Sequence, residues 1–310
     1  MKIVIVGPGA MGCLLAAFLL KSKEDLWLLD YKKERAAKIA QSGINMEGVS
    51  GNWQVKPKAS ADINEVGPAD LIIICVKSYD TKQAIASVKT LIKENSAVLT
   101  LQNGVGNIEI IAEAIGNDKV IGAVTNLGAT LIDTGSVRYA GKGETAIGRM
   151  DGKMTVQMRS VREIFNKAGL ETKISRDIKG LIWSKLIINS GINALTAIVR
   201  LNNGRLTEFE GTRKIIREAV TEALRVAKRK RIKLSFDDPL AKVEAVAEAT
   251  ASNISSMLQD VLRKKRTEID FINGVIVRQG QELGIAVPVN QMLVDLVKTI
   301  EASYRECVNI

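Results

Sequence analysis

The chain has 310 residues, suiting two domains of roughly 100 to 200 residues each, and its 46% hydrophobic content is ample for packed cores. Lys and Arg outnumber Asp and Glu by 44 to 34, for a formal charge of +10, and histidine is absent. Without imidazole, a proton at a reacting oxygen must come from Lys, Tyr, a carboxylic acid or water, and the usual nitrogen-rich zinc site is excluded.

Ile3 to Val6 reads as a central parallel strand, apolar on both faces because helices cover both sides of such a sheet. Gly7-Pro8-Gly9-Ala10-Met11-Gly12 follows at once and opens an apolar helix from Ala10 to Leu20. In that context the glycines supply a tight turn, close approach of backbone to a pyrophosphate, and close packing of helix on strand, so a dinucleotide is the expected ligand. A secretory signal is the poorer reading, because Gly-Pro-Gly breaks the apolar run and cleavage would remove the first strand. Further strands are expected at Leu26–Asp30, Leu71–Lys77, Ala97–Leu101 and Val120–Val124, with crossover helices at Lys32–Gln41, Thr81–Lys93 and Ile108–Ile115. Glycine-punctuated runs at Gly43–Val55 and Leu127–Gly148 suggest antiparallel strands added to the same sheet, and Met154–Ala168 a last helix.

Beyond Ser175 almost every segment has helical period, and the two prolines there, Pro239 and Pro288, stand near expected helix starts. The division is therefore a dinucleotide-binding domain over 1–175 and an all-helical substrate and dimerisation domain over 176–310. No run reaches the roughly 18 to 20 unbroken apolar residues of a membrane span. Cys13, Cys75 and Cys307 are an odd number and read as buried free thiols in a reducing compartment, so the expected location is the cytoplasm, without membrane association. The basic run Arg225–Lys233 reads as a solvated helix end, since acidic residues flank it and no aromatic side chain interleaves for stacking, so nucleic acid is not an expected partner.

Three constellations carry chemistry. Lys185, Asn189 and Asn193 recur at i, i+4 and i+8 along an otherwise apolar helix; the stripe meets either solvent or a polar ligand, and Asn, a weak helix former with fixed hydrogen-bonding groups, favours the ligand. Ser256 and Glu268 form the second; on one straight helix they would lie roughly 18 Å apart and touch different parts of a ligand assembly. The plain alternative for Glu268 is capping or surface pairing with Arg263, Lys264 or Lys265. The third is a pair of adjacent strand ends, Ile74-Cys-Val-Lys77 and Leu101-Gln-Asn103-Gly-Val-Gly, where open parallel sheets bind ligands.

At these residues the chain resembles the ketopantoate (2-dehydropantoate) reductase family over essentially its full length. The motifs match in order: Gly-Pro-Gly-Ala-Met-Gly, Cys-Val-Lys-Ser, Gln-Asn-Gly-Val-Gly, Asn126-Leu-Gly-Ala-Thr130, the Lys185/Asn189/Asn193 helix, and Ser-Ser-Met-Leu-Gln-Asp with Thr-Glu-Ile-Asp-Phe-Ile-Asn-Gly. The resemblance implies an α/β fold, a Rossmann-type doubly wound sheet followed by an all-helical domain like the C-terminal part of 6-phosphogluconate dehydrogenase. It implies hydride transfer from a reduced nicotinamide cofactor to C2 of ketopantoate, giving pantoate for pantothenate and coenzyme A synthesis. Residue by residue, Lys185 matches the proton donor; Asn189, Asn193, Asn203 and Ser256 match substrate-binding positions. Lys77, Asn103, Ala129 and Glu268 match positions at or near the cofactor, Asn103 also close to substrate, and Glu268 is an acceptor that could hold the Lys185 ammonium.

Cofactor choice stays open between two forms. Asp30 stands where a carboxylate bonds a ribose 2′-OH and favours NAD(H), yet Lys32, Lys33 and Arg35 follow, and basic residues accommodate the 2′-phosphate of NADP(H), which the resemblance favours. Two rival functions keep the same motifs: reduction of another 2-oxo or 3-hydroxy acid, and a non-catalytic dinucleotide sensor, against which the Lys-Asn-Asn stripe argues. An apolar C-terminal stretch, Met292 to Ile300, offers a surface for pairing into a homodimer.

Overall fold

The computed structural model describes residues 1–306, so Cys307 lies outside the described residues. The chain divides into two compact units, Met1–Gln102 with Asn107–Ile178, and Asn103–Gly106 with Lys179 onward.

Unit one runs β1 (Lys2–Val6), α1 (Ala10–Leu19), β2 (Asp25–Leu29), α2 (Lys33–Ser42), β3 (Ile44–Gly48), β4 (Trp53–Val55), β5 (Lys58–Ser60), α3 (Ile63–Val66), β6 (Ala69–Ile74), α4 (Thr81–Ser87), β7 (Ile92–Thr100) and α5 (Asn107–Ile115). It continues through β8 (Val120–Thr125), β9 (Gly128–Asp133), β10 (Ser136–Gly141), β11 (Thr145–Gly148), α6 (Val156–Lys167) and β12 (Thr172–Ile174). Eight strands form one sheet in the order β12-β11-β8-β7-β6-β1-β2-β5. All of its pairings are parallel except β11 on β8. The chain starts in the middle with β1, builds outward through β2 and β5, then returns to β6 on the other flank. The order therefore reverses between β1 and β6, the place where open α/β sheets leave a crevice at the strand ends.

The glycine-punctuated strands depart from expectation. Only β11 joins the large sheet; β4-β3-β10-β9 form a separate four-stranded sheet. The reason lies in α1, whose residues Gly12 to Leu19 are all buried. A helix that apolar needs cover on the side facing away from the large sheet, and the small sheet provides it. Phe18 of α1 meets Tyr139 of β10 at 5.3 Å and Trp53 of β4 at 5.5 Å, both edge-on. The helix expected to reach Lys93 also ends earlier, at Ser87, and Ile92 and Lys93 already belong to β7. There Ser96 Oγ accepts the Lys93 N–H at 2.8 Å and donates to the Ala69 carbonyl at 2.6 Å, tying the strand's irregular start to β6. The short strand β12 had no sequence signal of its own.

Unit two is helical: α7 (Ile178–Val199), α8 (Glu210–Arg229), α9 (Pro239–Ala249), α10 (Ser256–Leu262), α11 (Asn273–Leu283) and α12 (Pro288–Ala302), joined by loops and single 3₁₀ turns. Pro239 and Pro288 both open helices, where the missing N–H removes no bond. α7 is long and apolar enough to cross a membrane by length and composition, but 67% of its most apolar stretch is buried within the protein. It runs through a core shared with Val220, Val243, Ile276 and Val297.

Candidate active site

In unit one, the three fingerprint glycines are required for three different reasons. Gly7 has φ +95°, and a Cβ there would meet Val76 Cγ1 at 2.7 Å. At Gly12 a Cβ would stand 2.1 Å from the Gly7 carbonyl oxygen, so α1 could not leave the turn at this angle. Gly9 is unlike both, with ordinary φ and nothing within 4 Å of where its Cβ would be. No internal contact demands glycine there, but bare backbone at a helix N-terminus lets an anion approach the first N–H groups. α1 has no side-chain cap and no acidic residue in its first turn, so its N-terminus suits a phosphate. The residues present fit a dinucleotide.

Asp30, just past β2, is bonded within its own loop. Arg35 donates from Nη2 to Asp30 Oδ1 at 2.6 Å and from Nε to Oδ2, and the Lys32 N–H reaches Oδ1 at 3.1 Å. The bond to Asp30 raises the Arg35 guanidinium above its ordinary pKa. Lys32 and Arg35 also stand over the ring of the exposed Tyr31, at 5.7 and 5.6 Å.

The β6 and β7 ends are braced by side chains that the motif reading missed. Gln102 Nε2 donates to the Val76 carbonyl at 2.9 Å and to Thr81 Oγ1 at 2.8 Å; Thr81 donates to Asn107 Oδ1 at 2.8 Å, and Asn107 donates to Ser78 Oγ at 3.1 Å. Lys77 lies within this braced turn, half-buried. Ala129 sits apart from it, on β9 opposite Tyr139. Cys13 and Cys75 are free thiols, pushed up by burial, Cys13 to about 12, so neither supplies a thiolate.

In unit two, α7 carries Lys185, Asn189 and Asn193 along one face, the first two half-buried and Asn193 buried. Burial lowers the Lys185 ammonium to about 8, and the Glu268 carboxylate opposes that fall. Glu268 is buried, at 6% exposure, which is not the surface pairing considered from sequence. Nor do Ser256 and Glu268 share a straight helix. α10 stops at Leu262, Lys264 turns the chain at φ 51°, and Glu268 precedes the 3₁₀ turn Ile269–Phe271.

The remaining positions of this unit are held by bonds that sequence did not reveal. Thr196 and Ser255 share a hydroxyl–hydroxyl bond of 2.7 Å, seating the start of α10, and so Ser256, beside the end of the stripe. Asn203 receives an anchor from the same segment, its N–H donating to the Asn253 carbonyl at 3.0 Å. Its Nδ2 donates to Thr250 Oγ1 at 2.9 Å, while its buried Oδ1 accepts no hydrogen bond. The loop Asn103–Gly106 groups with this unit. Gly104, at φ +86°, fits only without a Cβ, which would stand 2.2 Å from the Phe271 carbonyl, and the Val105 N–H donates to that carbonyl at 3.1 Å. Asn103 is thereby fixed beside the Glu268–Phe271 turn.

The chain is similar to known proteins along its whole length. Residues 3–152 match the model of "Ketopantoate reductase PanE/ApbA" and residues 177–301 that of its C-terminal domain. A 2-dehydropantoate 2-reductase of Pyrococcus horikoshii is 38% identical over 302 residues, covering 97% of this chain and 98% of that one. A PanE/ApbA family ketopantoate reductase from Ralstonia eutropha JMP134 superposes with a TM-score of 0.91 at 36% identity, covering 99% of this chain and all of that one. D-mandelate dehydrogenase in complex with NADH and anilino(oxo)acetate also gives 0.91, at 27% identity over 98% of this chain and 99% of its own. With both halves matched and the whole length covered, the chain belongs to the ketopantoate reductase family.

Proposed function

We propose that this protein is a 2-dehydropantoate 2-reductase that uses NADPH, forming pantoate from ketopantoate for pantothenate and coenzyme A synthesis in the cytoplasm. The observation that carries the reading is Lys185: in a chain without histidine, a half-buried lysine brought to about 8 stands on a face it shares with two asparagines.

A reduced nicotinamide, when bound, would supply the hydride that C2 receives. At neutral pH Lys185 is mostly protonated yet close to its midpoint, so its ammonium stabilises charge developing on the C2 oxygen and passes a proton to it. Glu268 keeps that proton in place by raising the affinity of the amine for it. Asn189, Asn193 and Ser256 provide donors for the substrate carboxylate and oxygen atoms, and the open acceptor of Asn203 suits a substrate hydroxyl. Gly7 to Gly12 hold the pyrophosphate, while Lys77, Asn103, Ala129 and Glu268 line the remaining cofactor positions. Arg35, Lys32 and Tyr31 form the 2′-phosphate seat, because Asp30 is committed to Arg35. We assign residues 1–175 to cofactor and 176–310 to substrate and dimer contacts. The free thiols Cys13 and Cys75 support a reducing compartment.

The similarity to D-mandelate dehydrogenase favours one second reading, reduction of a different 2-oxo acid, with NADH. Steady-state kinetics decide both points: the first reading predicts higher kcat/KM for ketopantoate than for simple 2-oxo acids, and higher for NADPH than for NADH. Better efficiency on a simple 2-oxo acid would displace it.

A further inference from the structure

Behind the stripe lies a buried polar cluster for which the reaction has no direct use. Asn273, fully buried at the first position of α11, donates from Nδ2 to the Ser190 carbonyl of α7 at 3.0 Å and to Asn290 Oδ1 of α12 at 3.0 Å. Asn290, also fully buried, donates to the Ala219 carbonyl of α8 at 2.9 Å and to Glu222 Oε2 at 2.7 Å. Glu222 further accepts the first-turn N–H groups of Val289 and Asn290, each at 2.9 Å. The cluster therefore has two arms. Glu222 and Asn290 fasten α12 to α8, a helix-capping role. Asn273 alone reaches α7.

That reach has a defined register. Ser190 follows Lys185 by five residues on α7, and Asn273 follows Glu268 by five at the entry to α11. The bond between Asn273 and the Ser190 carbonyl thus fastens together the two segments that carry the amine and the carboxylate, one turn or so beyond each. A backbone carbonyl inside a helix already serves its own ladder, so recruiting it as a second acceptor fixes α11 to the α7 backbone itself. Glu268 precedes the 3₁₀ turn; the Thr267 N–H before it donates to Glu301 Oε1 of α12 at 2.6 Å and the Phe271 carbonyl accepts the Val105 N–H, while Asn273 is the downstream residue whose side chain ties this segment to α7.

We propose that Asn273 is a positioning residue that sets where the Glu268 carboxylate stands relative to the Lys185 amine. The inference rests on the reading of Lys185 as proton donor for its meaning, though not for its test. Of the charged groups on the surrounding elements, Glu268 is the one that raises Lys185, while Glu222 of α8 is bonded to α12. Loss of the Asn273 bond leaves the Glu268 turn held by α12 and the Val105 N–H but no longer tied here to the α7 backbone, so the carboxylate shifts relative to the amine and that support weakens.

The test reads the Lys185 amine directly, by competitive acetylation with trace acetic anhydride across pH and mass spectrometry of the Lys185 peptide, with a melting curve for each variant. For Asn273→Ala the labelling midpoint is expected to fall below that of the wild type by about one pH unit, the lower end of what a nearby opposite charge contributes. Glu268→Gln should lower it likewise, and adding Asn273→Ala to Glu268→Gln should lower it no further. Asn290→Ser, which cuts the α12 arm, should reduce the melting temperature and leave the midpoint in place. Should Asn273→Ala not fold, Asn273→Ser carries the same comparison. An Asn273 midpoint that is unchanged or rises, an equal fall in the Glu268→Gln background, or an equal fall for Asn290→Ser would overturn the proposal. Survival of turnover in Lys185→Ala would instead remove Lys185 as acid and leave the labelling result standing.

Discussion

Arg35 closes on Asp30 with two parallel bonds, and with the Lys32 N–H also on Oδ1 the carboxylate accepts three bonds from within its own loop. The Asp30 side chain is 1% exposed and that of Arg35 26%, so the cation is the member of the pair that a ligand meets. Arg35→Ala is therefore expected to raise KM for NADPH about tenfold or more, given roughly 1.5–3 kcal/mol for a hydrogen bond to a charged group, with little effect on NADH. Asp30→Asn should also weaken NADPH use, because Arg35 loses its brace. Kinetics in which Asp30→Asn harms NADH alone would place the carboxylate on the ribose and reverse the assignment.

Gly9 and Gly12 separate binding from folding within one short loop. Gly9→Ala has open space for its methyl group and ordinary φ, so it should melt close to the wild type while cofactor affinity drops at least tenfold. Gly12→Ala drives a methyl into the Gly7 carbonyl and should cost several kcal/mol of stability, of the order that overpacking and backbone strain produce. Equal melting temperatures for the two variants would contradict this division.

Turnover should follow the protonation of Lys185. With its amine at about 8 in the free enzyme, kcat/KM in the reducing direction is expected to decline as pH rises through that value, because the proton donor is lost. Lys185→Ala should reduce kcat by 10²-fold or more, at least the lower end of a general acid's contribution, with dinucleotide affinity nearly unchanged. A pH profile flat from 7 to 9 would exclude this amine as the donor.

The same lysine weakens the fold. Its folded-state pKa is depressed from 10.5 to about 8, so between those values the unfolded chain binds more protons than the folded one and stability rises with pH. Below about 8 the full cost of burying the ammonium is present. Lys185→Met, which keeps the length and drops the charge, should melt higher than the wild type at pH 7, and the gap should shrink as pH approaches 10.5. A lower melting temperature at pH 7 would mean that the amine's polar contacts outweigh its desolvation.

The strand–Gly–helix opening, the alternation of the first half, the helical second half and the i, i+4, i+8 stripe could all be read from the chain, because each is set by local period or by glycine geometry. The small sheet could not. Short alternating runs fix strands without saying which neighbour they pair with, and the deciding fact was that α1 required a second apolar cover. The Asp30–Arg35 grip and the Asn273–Ser190 bond were likewise hidden, since one depends on side-chain rotamers and the other on a helix backbone 83 residues away. Asn273 lies within a motif that gives it no task; a polar side chain between Ile272 and Gly274, at the head of the apolar run Val275–Val277, is the available clue.

Packing α1 between two sheets has a consequence for how the protein breathes. Its amides from Cys13 onward, in the buried stretch, should be among the slowest in unit one to exchange with deuterium, opening only when the unit unfolds as a whole. Gly9 to Gly12 lead into that buried segment, so the N–H groups proposed to face the phosphate are presented by a helix packed on both sides. A loop that must accept a diffusing anion is thereby spared the entropy of ordering itself each time one arrives.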